Sequence, residues 1–91
     1  MTSPRISSRE EAVRADHVLD VTGLFCPIPI ARAIERIVSV LPGEVLEILA
    51  TDPGVIIDVP AWCYSAGHEF LGYLREGSVV SCWVRRGGGG R

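Results

Sequence analysis

The chain changes hydrophobic period between Val21 and Pro29, and this change limits the possible folds more than any other feature of the sequence. Upstream, His17 to Thr22 alternates, with Leu19 and Val21 on one face and Val18 and Asp20 on the other, which predicts a short strand ended by Gly23. Downstream, from Pro27 to about Leu41, Ile30, Ile34, Ile37, Val38 and Leu41 recur at spacings of three and four. That pattern predicts a helix with one buried stripe, stopped by Pro42-Gly43. Glu44 to Thr51 alternates again, with Leu46, Ile48 and Ala50 sharing one face and Val45, Glu47 and Leu49 the other. Strand, helix, strand is a βαβ unit. Its crossover is right-handed in nearly all proteins, so the two strands run parallel and the loops that follow them share one sheet edge. Cys26 and Asp52 fall on that edge, where open α/β sheets usually carry their sites.

Asp52-Pro53-Gly54 reads as a cap and turn, and Pro60 is expected to break any helix running straight through from 53. The expectation is a loose turn at 54–57, then a helix capped by Asp58 that buries Val59, Trp62, Cys63 and Ala66 and ends at Gly67. His68 to Leu74 and Ser78 to Arg86, joined at Arg75-Glu76-Gly77, predict an antiparallel hairpin. In its second strand Val80, Cys82 and Val84 point one way, and Val79, Ser81, Trp83 and Arg85 the other. The order βαβαββ predicts an α+β, two-layer sandwich: a four-stranded mixed sheet with two helices on one face. The opposite face is expected to be open, with Trp83 on it beside Val45 and Leu49. A single domain over 17–86 is flanked by a flexible polar arm over 1–16 and a flexible Gly-rich tail over 87–91.

A chain of 91 residues, 47% of them hydrophobic, holds one core and no second domain. The net charge is −2, and the sequence contains no lysine and nine arginines spread along it, which disfavours direct nucleic-acid binding. No apolar run reaches membrane-spanning length, and the first sixteen residues lack the apolar region of a secretion signal. Three cysteines, at 26, 63 and 82, form no C-x-x-C pair and suit neither a disulfide framework nor a zinc ribbon, so reduced thiols in the cytoplasm are expected.

Cys26 stands directly before Pro27-Ile28-Pro29 and reads as a helix N-cap. Pro27 fits the first helical position and Pro29 still lies in the first turn, leaving the N–H groups of Ile28 and Ile30 facing the sulfur. A thiolate is favoured over a thiol at such a place, which predicts a nucleophilic cysteine. Cys63 and Cys82 lie on apolar stripes and are expected to pack as small hydrophobes. His17 and His68 read as strand-end residues, and Asp52 as a cap.

The chain from about 17 to 86 resembles the TusA/SirA-type sulfur carriers. The matching pieces are Leu19-Asp20, Gly23-Leu24, Cys26-Pro27-Ile28-Pro29, Pro42-Gly43-Glu44, Ala50-Thr51-Asp52-Pro53, Asp58-Val59-Pro60-Ala61-Trp62-Cys63 and Gly67-His68-Glu69. The resemblance implies a sulfurtransferase of the persulfide-carrier type, in which Cys26 takes sulfane sulfur and passes it to the next protein, with Asp52 in a supporting role. It implies a donor protein, a cysteine desulfurase or rhodanese, and an acceptor serving tRNA thiolation, molybdenum-cofactor maturation or sulfur oxidation. No cofactor or metal is implied, nor any membrane partner. Phe25 stands where many relatives carry a basic residue.

Two rival readings come from other classes. One is a non-catalytic interaction module using the open sheet face around Trp83. The other is a metal or redox site joining Cys26 to Cys63 or His68.

Overall fold

The computed structural model describes residues 5, 6, 12 and 14–88. They form β1 (His17–Val21), α1 (Ile28–Arg36) tightening into a 3₁₀ turn (Ile37–Ser39), β2 (Val45–Ala50), α2 (Val55–Ala66), β3 (Glu69–Glu76) and β4 (Val79–Arg85). The sheet order is β1-β2-β4-β3. β1 runs parallel to β2, with Leu19 opposite Ile48 and Val21 opposite Ala50. β4 is antiparallel to both β2 and β3. This is the expected mixed four-stranded sheet in an α+β sandwich.

The helix-covered face holds the main core. Val21, Leu46, Ile48, Ala50, Val80, Cys82 and Val84 from the sheet meet Ala33, Ile37 and Val40 from the first helical segment and Val55, Val59 and Cys63 from α2. The alternation of β1, β2 and β4 therefore assigns their faces correctly. β3 departs from simple alternation, because its register shifts between Phe70 and Gly72. The irregularity lets Phe70 and Tyr73 both reach the helix side while Leu71 and Leu74 reach the other. The hairpin loop is Gly77-Ser78, two residues beyond the expected start of the turn. Gly77 at φ 62° takes the first central position, which a type II′ turn reserves for glycine.

Three expectations about the helices and the sheet are corrected. First, α1 buries Pro29 and Ala33, and the segment after it buries Ile37 in the 3₁₀ turn and then Val40, whereas Ile34, Val38 and Leu41 stand 48%, 75% and 64% exposed. Two apolar stripes of the same period lie on this segment, and the one carrying the small Ala33 packs closest to the sheet. Second, α2 starts at Val55 with Gly54 as its N-cap, and Pro60 lies inside it. An interior proline costs about 3 kcal/mol in a helix. Burying the Val55 and Val59 side chains returns about 1.5–3 kcal/mol each, enough to offset that penalty. Asp58 is thus a first-turn residue and not the cap.

Third, the sheet face carrying Trp83 is covered. Trp83 is 1% exposed, in a second cluster with Ile6, Val45 and Leu74, flanked by Ala12, Ala15 and Leu71. The Ile6 N–H donates to the Tyr73 carbonyl at 2.6 Å, and Arg5 bridges β3 in parallel at Tyr73. Further along, Asp16 and Val45 are tied by two contacts, one between backbones, Asp16 N–H to the Val45 carbonyl, and one to a side chain, Val45 N–H to Asp16 Oδ2, both at 2.9 Å. The described part of the N-terminal stretch is therefore packed, not loose; the rest of 1–16 lies outside the described residues. At the other end, Gly87 donates its N–H to His68 Nδ1 at 2.9 Å, which anchors the first residue of the expected tail. Residues 89–91 lie outside the described residues.

Candidate functional site

The loops after β1 and β2 lie side by side because the two strands are parallel and in register up to Val21 opposite Ala50. Two hydrogen bonds cross between them. Gly23 N–H donates to Thr51 Oγ1 at 2.8 Å, and Cys26 N–H donates to Asp52 Oδ2 at 2.7 Å. Gly23 turns the chain at φ 83°, a conformation that favours glycine. The other oxygen of Asp52 accepts the Gly54 N–H at 2.9 Å, so one carboxylate ties the cysteine loop to the start of α2. These bonds hold the Asp52 carboxyl below the usual range, the Gly54 contact first and the Cys26 contact second.

Cys26 is exposed, whereas Cys63 and Cys82 are buried; none of the three is in a disulfide. Burial pushes the Cys63 and Cys82 thiols up to about 12, and Cys63 adds a smaller like-charge effect on Cys82. Neither competes for chemistry at neutral pH.

Cys26 is not the N-cap of α1. The Ile28 N–H donates to the Phe25 carbonyl at 2.8 Å, closing a turn with Cys26 and Pro27 at its centre, joined by a cis peptide bond. Pro27 at φ −97°, ψ 15° is the cap, and Ile28 is the first helical residue. The Ile28 amide is therefore spent on the turn and not presented to the sulfur. Pro29 is buried, and Ile30 is half-buried with its side chain on the main core.

The electrostatics of the sulfur also differ from expectation. Cys26 Sγ donates to Asp58 Oδ2 at 3.6 Å. The thiol is raised above its ordinary value: neighbouring atoms withdraw the sulfur from water, the Asp58 charge and hydrogen bond add to this, and the Asp52 charge adds further. Withdrawal from water first, and the two carboxylates after it, set the direction opposite to the one that a helix N-cap predicts. The empty site thus favours a neutral thiol. The sequence placed Asp58 on α2 only as a cap. The spacing Asp52-x₅-Asp58 across the start of a helix was its available signal, once Pro60 is allowed inside that helix.

The remaining candidates lie elsewhere. His17 starts β1, at the opposite sheet edge, where Nε2 meets Glu44 Oε1 at 2.8 Å. His68 precedes β3, which runs parallel to β1, so it too lies at that opposite edge. Its ring stacks obliquely on Trp62, with centroids 5.1 Å apart. The structure does not bring Cys26 and His68 together, and among the described residues no group of three or more His, Cys, Asp or Glu is placed to hold a metal ion. Among them, too, no helix is long and apolar enough to cross a membrane. The turn also exposes two apolar side chains, Phe25 and Ile28, at 72% and 42%.

Comparison with known proteins agrees with this architecture. The family model described as sulfurtransferase TusA matches residues 17–86. "Putative sulfur carrier protein YrkF" of Bacillus subtilis is 46% identical over 76 residues, which is 84% of this chain but 41% of that longer protein. Sulfur carrier protein TusA of Pseudomonas syringae pv. tomato is 37% identical over 76 residues, covering 84% of this chain and 90% of the relative. The crystal structure of a SirA-like protein from Desulfitobacterium hafniense superposes with a TM-score of 0.68 at 20% identity, over 78% of this chain and 97% of that one, and so shares the fold. With a match over most of its length and a near-complete relative above the identity at which families are shared, the chain belongs to the TusA sulfurtransferase family.

Proposed function

We propose that this protein is a sulfur carrier that receives sulfane sulfur on Cys26 as a persulfide and hands it to an acceptor protein. The observation that carries the reading is that Cys26 is the exposed thiol of the three, on the sheet edge where the two parallel strands end. Family membership supports a role in sulfur transfer. The exchange is Cys26–SH + R–S–SH → Cys26–S–SH + R–SH, in which the Cys26 sulfur attacks the outer sulfur of the donor and the donor thiol leaves. With the two other thiols buried, no cysteine of this chain is poised to resolve the persulfide as a disulfide. Asp52 supports the site by fixing the Cys26 backbone, and Pro27, Ile28 and Pro29 shape the turn that lifts the sulfur clear of the core. Ile30 contributes packing. The donor is a persulfide-forming protein such as a cysteine desulfurase or rhodanese, and the work belongs to a reducing compartment such as the cytoplasm.

The test is intact mass after incubation with a sulfane-sulfur donor. One added sulfur atom is expected, removable by dithiothreitol and not acquired by Cys26→Ser. A folded protein that gains no sulfur from several donors refutes the reading. The alternative module using an open face around Trp83 is not favoured, because that face is covered by Ile6.

A further inference from the structure

Asp58 has no part in tying the loops together, yet it is the side chain that touches the Cys26 sulfur. Asp52 spends both oxygens on backbone N–H groups, of Cys26 and of Gly54. Asp58 Oδ2 instead accepts from the thiol itself, at 3.6 Å. The partnership has a direction. In the empty carrier the sulfur has a hydrogen to donate. In the loaded carrier that hydrogen is gone from Sγ, and the outer sulfur, more acidic than a simple thiol, carries negative charge beside a carboxylate. Like charges a few ångströms apart disfavour each other.

We propose that the Asp58 carboxylate biases Cys26 toward its empty thiol form, so that the carrier gives up sulfur more readily than an unassisted cysteine in the same turn. This rests on the carrier reading above and deepens it. A relay must release its cargo as easily as it takes it, and one carboxylate that stabilises the empty state and destabilises the loaded one shifts that balance. Among the described residues, Asp58 and Asp52 are the charged groups acting on this sulfur, and both act in the same sense.

The experiment compares the full-length protein with Asp58→Asn, which keeps an acceptor oxygen and removes only the charge. Each is equilibrated with glutathione persulfide and glutathione at fixed ratio, and the loaded fraction is read by intact mass. The exchange is Cys26–SH + GS–SH ⇌ Cys26–S–SH + GSH, with no net oxidation or reduction. The loaded-to-empty ratio is expected to rise roughly threefold to fivefold in the variant, the effect of two exposed charges about 4 Å apart in water. A second arm measures the pH profile of iodoacetamide alkylation of Cys26. The variant's profile is expected to move to lower pH, a change that a purely structural role for Asp58 does not produce. An unchanged ratio, or an unchanged profile, overturns the proposal. If neither protein takes up sulfur while the profile still moves, the carrier reading falls and the bias falls with it, although the thiol–carboxylate contact stands.

Discussion

Replacing Ile6 by alanine tests whether the N-terminal stretch is a structural part of the domain. Ile6 is 9% exposed and sits over Trp83, Val45 and Leu74. Truncating a fully buried Ile to Ala costs about 2–5 kcal/mol. This one lies outside the regular elements, next to the Arg5–Tyr73 bridge and tied to β3 through its own N–H to the Tyr73 carbonyl, so its surroundings can relax into part of the gap. The lower end of the range, about 2 kcal/mol, is therefore expected. For a domain of this size each kcal/mol moves Tm by roughly 4–8 °C, so Tm falls by about 8–16 °C. Thermal unfolding followed by circular dichroism measures it. Trp83 emission, in a background carrying Trp62→Phe, is expected to shift to the red as water reaches the indole. A Tm within about 1 °C of the parent, with unchanged emission, refutes the packing argument and restores an open sheet face.

Two further outcomes follow from the titratable groups. Under native conditions at pH 8, iodoacetamide is expected to label Cys26 alone, because burial holds Cys63 and Cys82 up at about 12; mass spectrometry showing a second label before unfolding contradicts the core assignment. His68 is expected to titrate below its ordinary value, since burial and then the nearby Arg86 charge disfavour the imidazolium. Its folded midpoint lies under the unfolded one, so the unfolded state binds more protons and the contribution of His68 to stability, complete above about pH 6.5, is lost as the pH falls. An NMR titration of the ring that gives a midpoint at or above 6.5 contradicts this.

The sheet and its faces were legible because β1, β2 and β4 alternate cleanly and a βαβ crossover has one hand. What was not legible had specific causes. Ile34, Val38 and Leu41 share their period with Ala33, Ile37 and Val40, and periodicity cannot choose between two equivalent stripes. Pro60 argued for a break, but a local penalty of a few kcal/mol yields to the burial of Val55 and Val59 around it. Ile6 is one of a few scattered apolar residues in a polar stretch, too weak a signal for its role over Trp83. The neighbouring placement of Cys26 and Asp52 was legible because topology puts both on one edge. The acidity of the thiol was misjudged because the helix dipole is visible in sequence, whereas the approach of Asp58 from α2 depends on where that helix begins.

The bond from the Cys26 amide to Asp52 is made by main chain, so it does not depend on which side chain residue 26 carries. Exchanging the sulfur for an oxygen leaves that anchor in place and alters little but the reacting atom. A serine protein should keep the native contour of this edge and can compete with the wild type for the same docking partners. Under the carrier proposal it is therefore expected to occupy a donor's or acceptor's surface without exchanging sulfur.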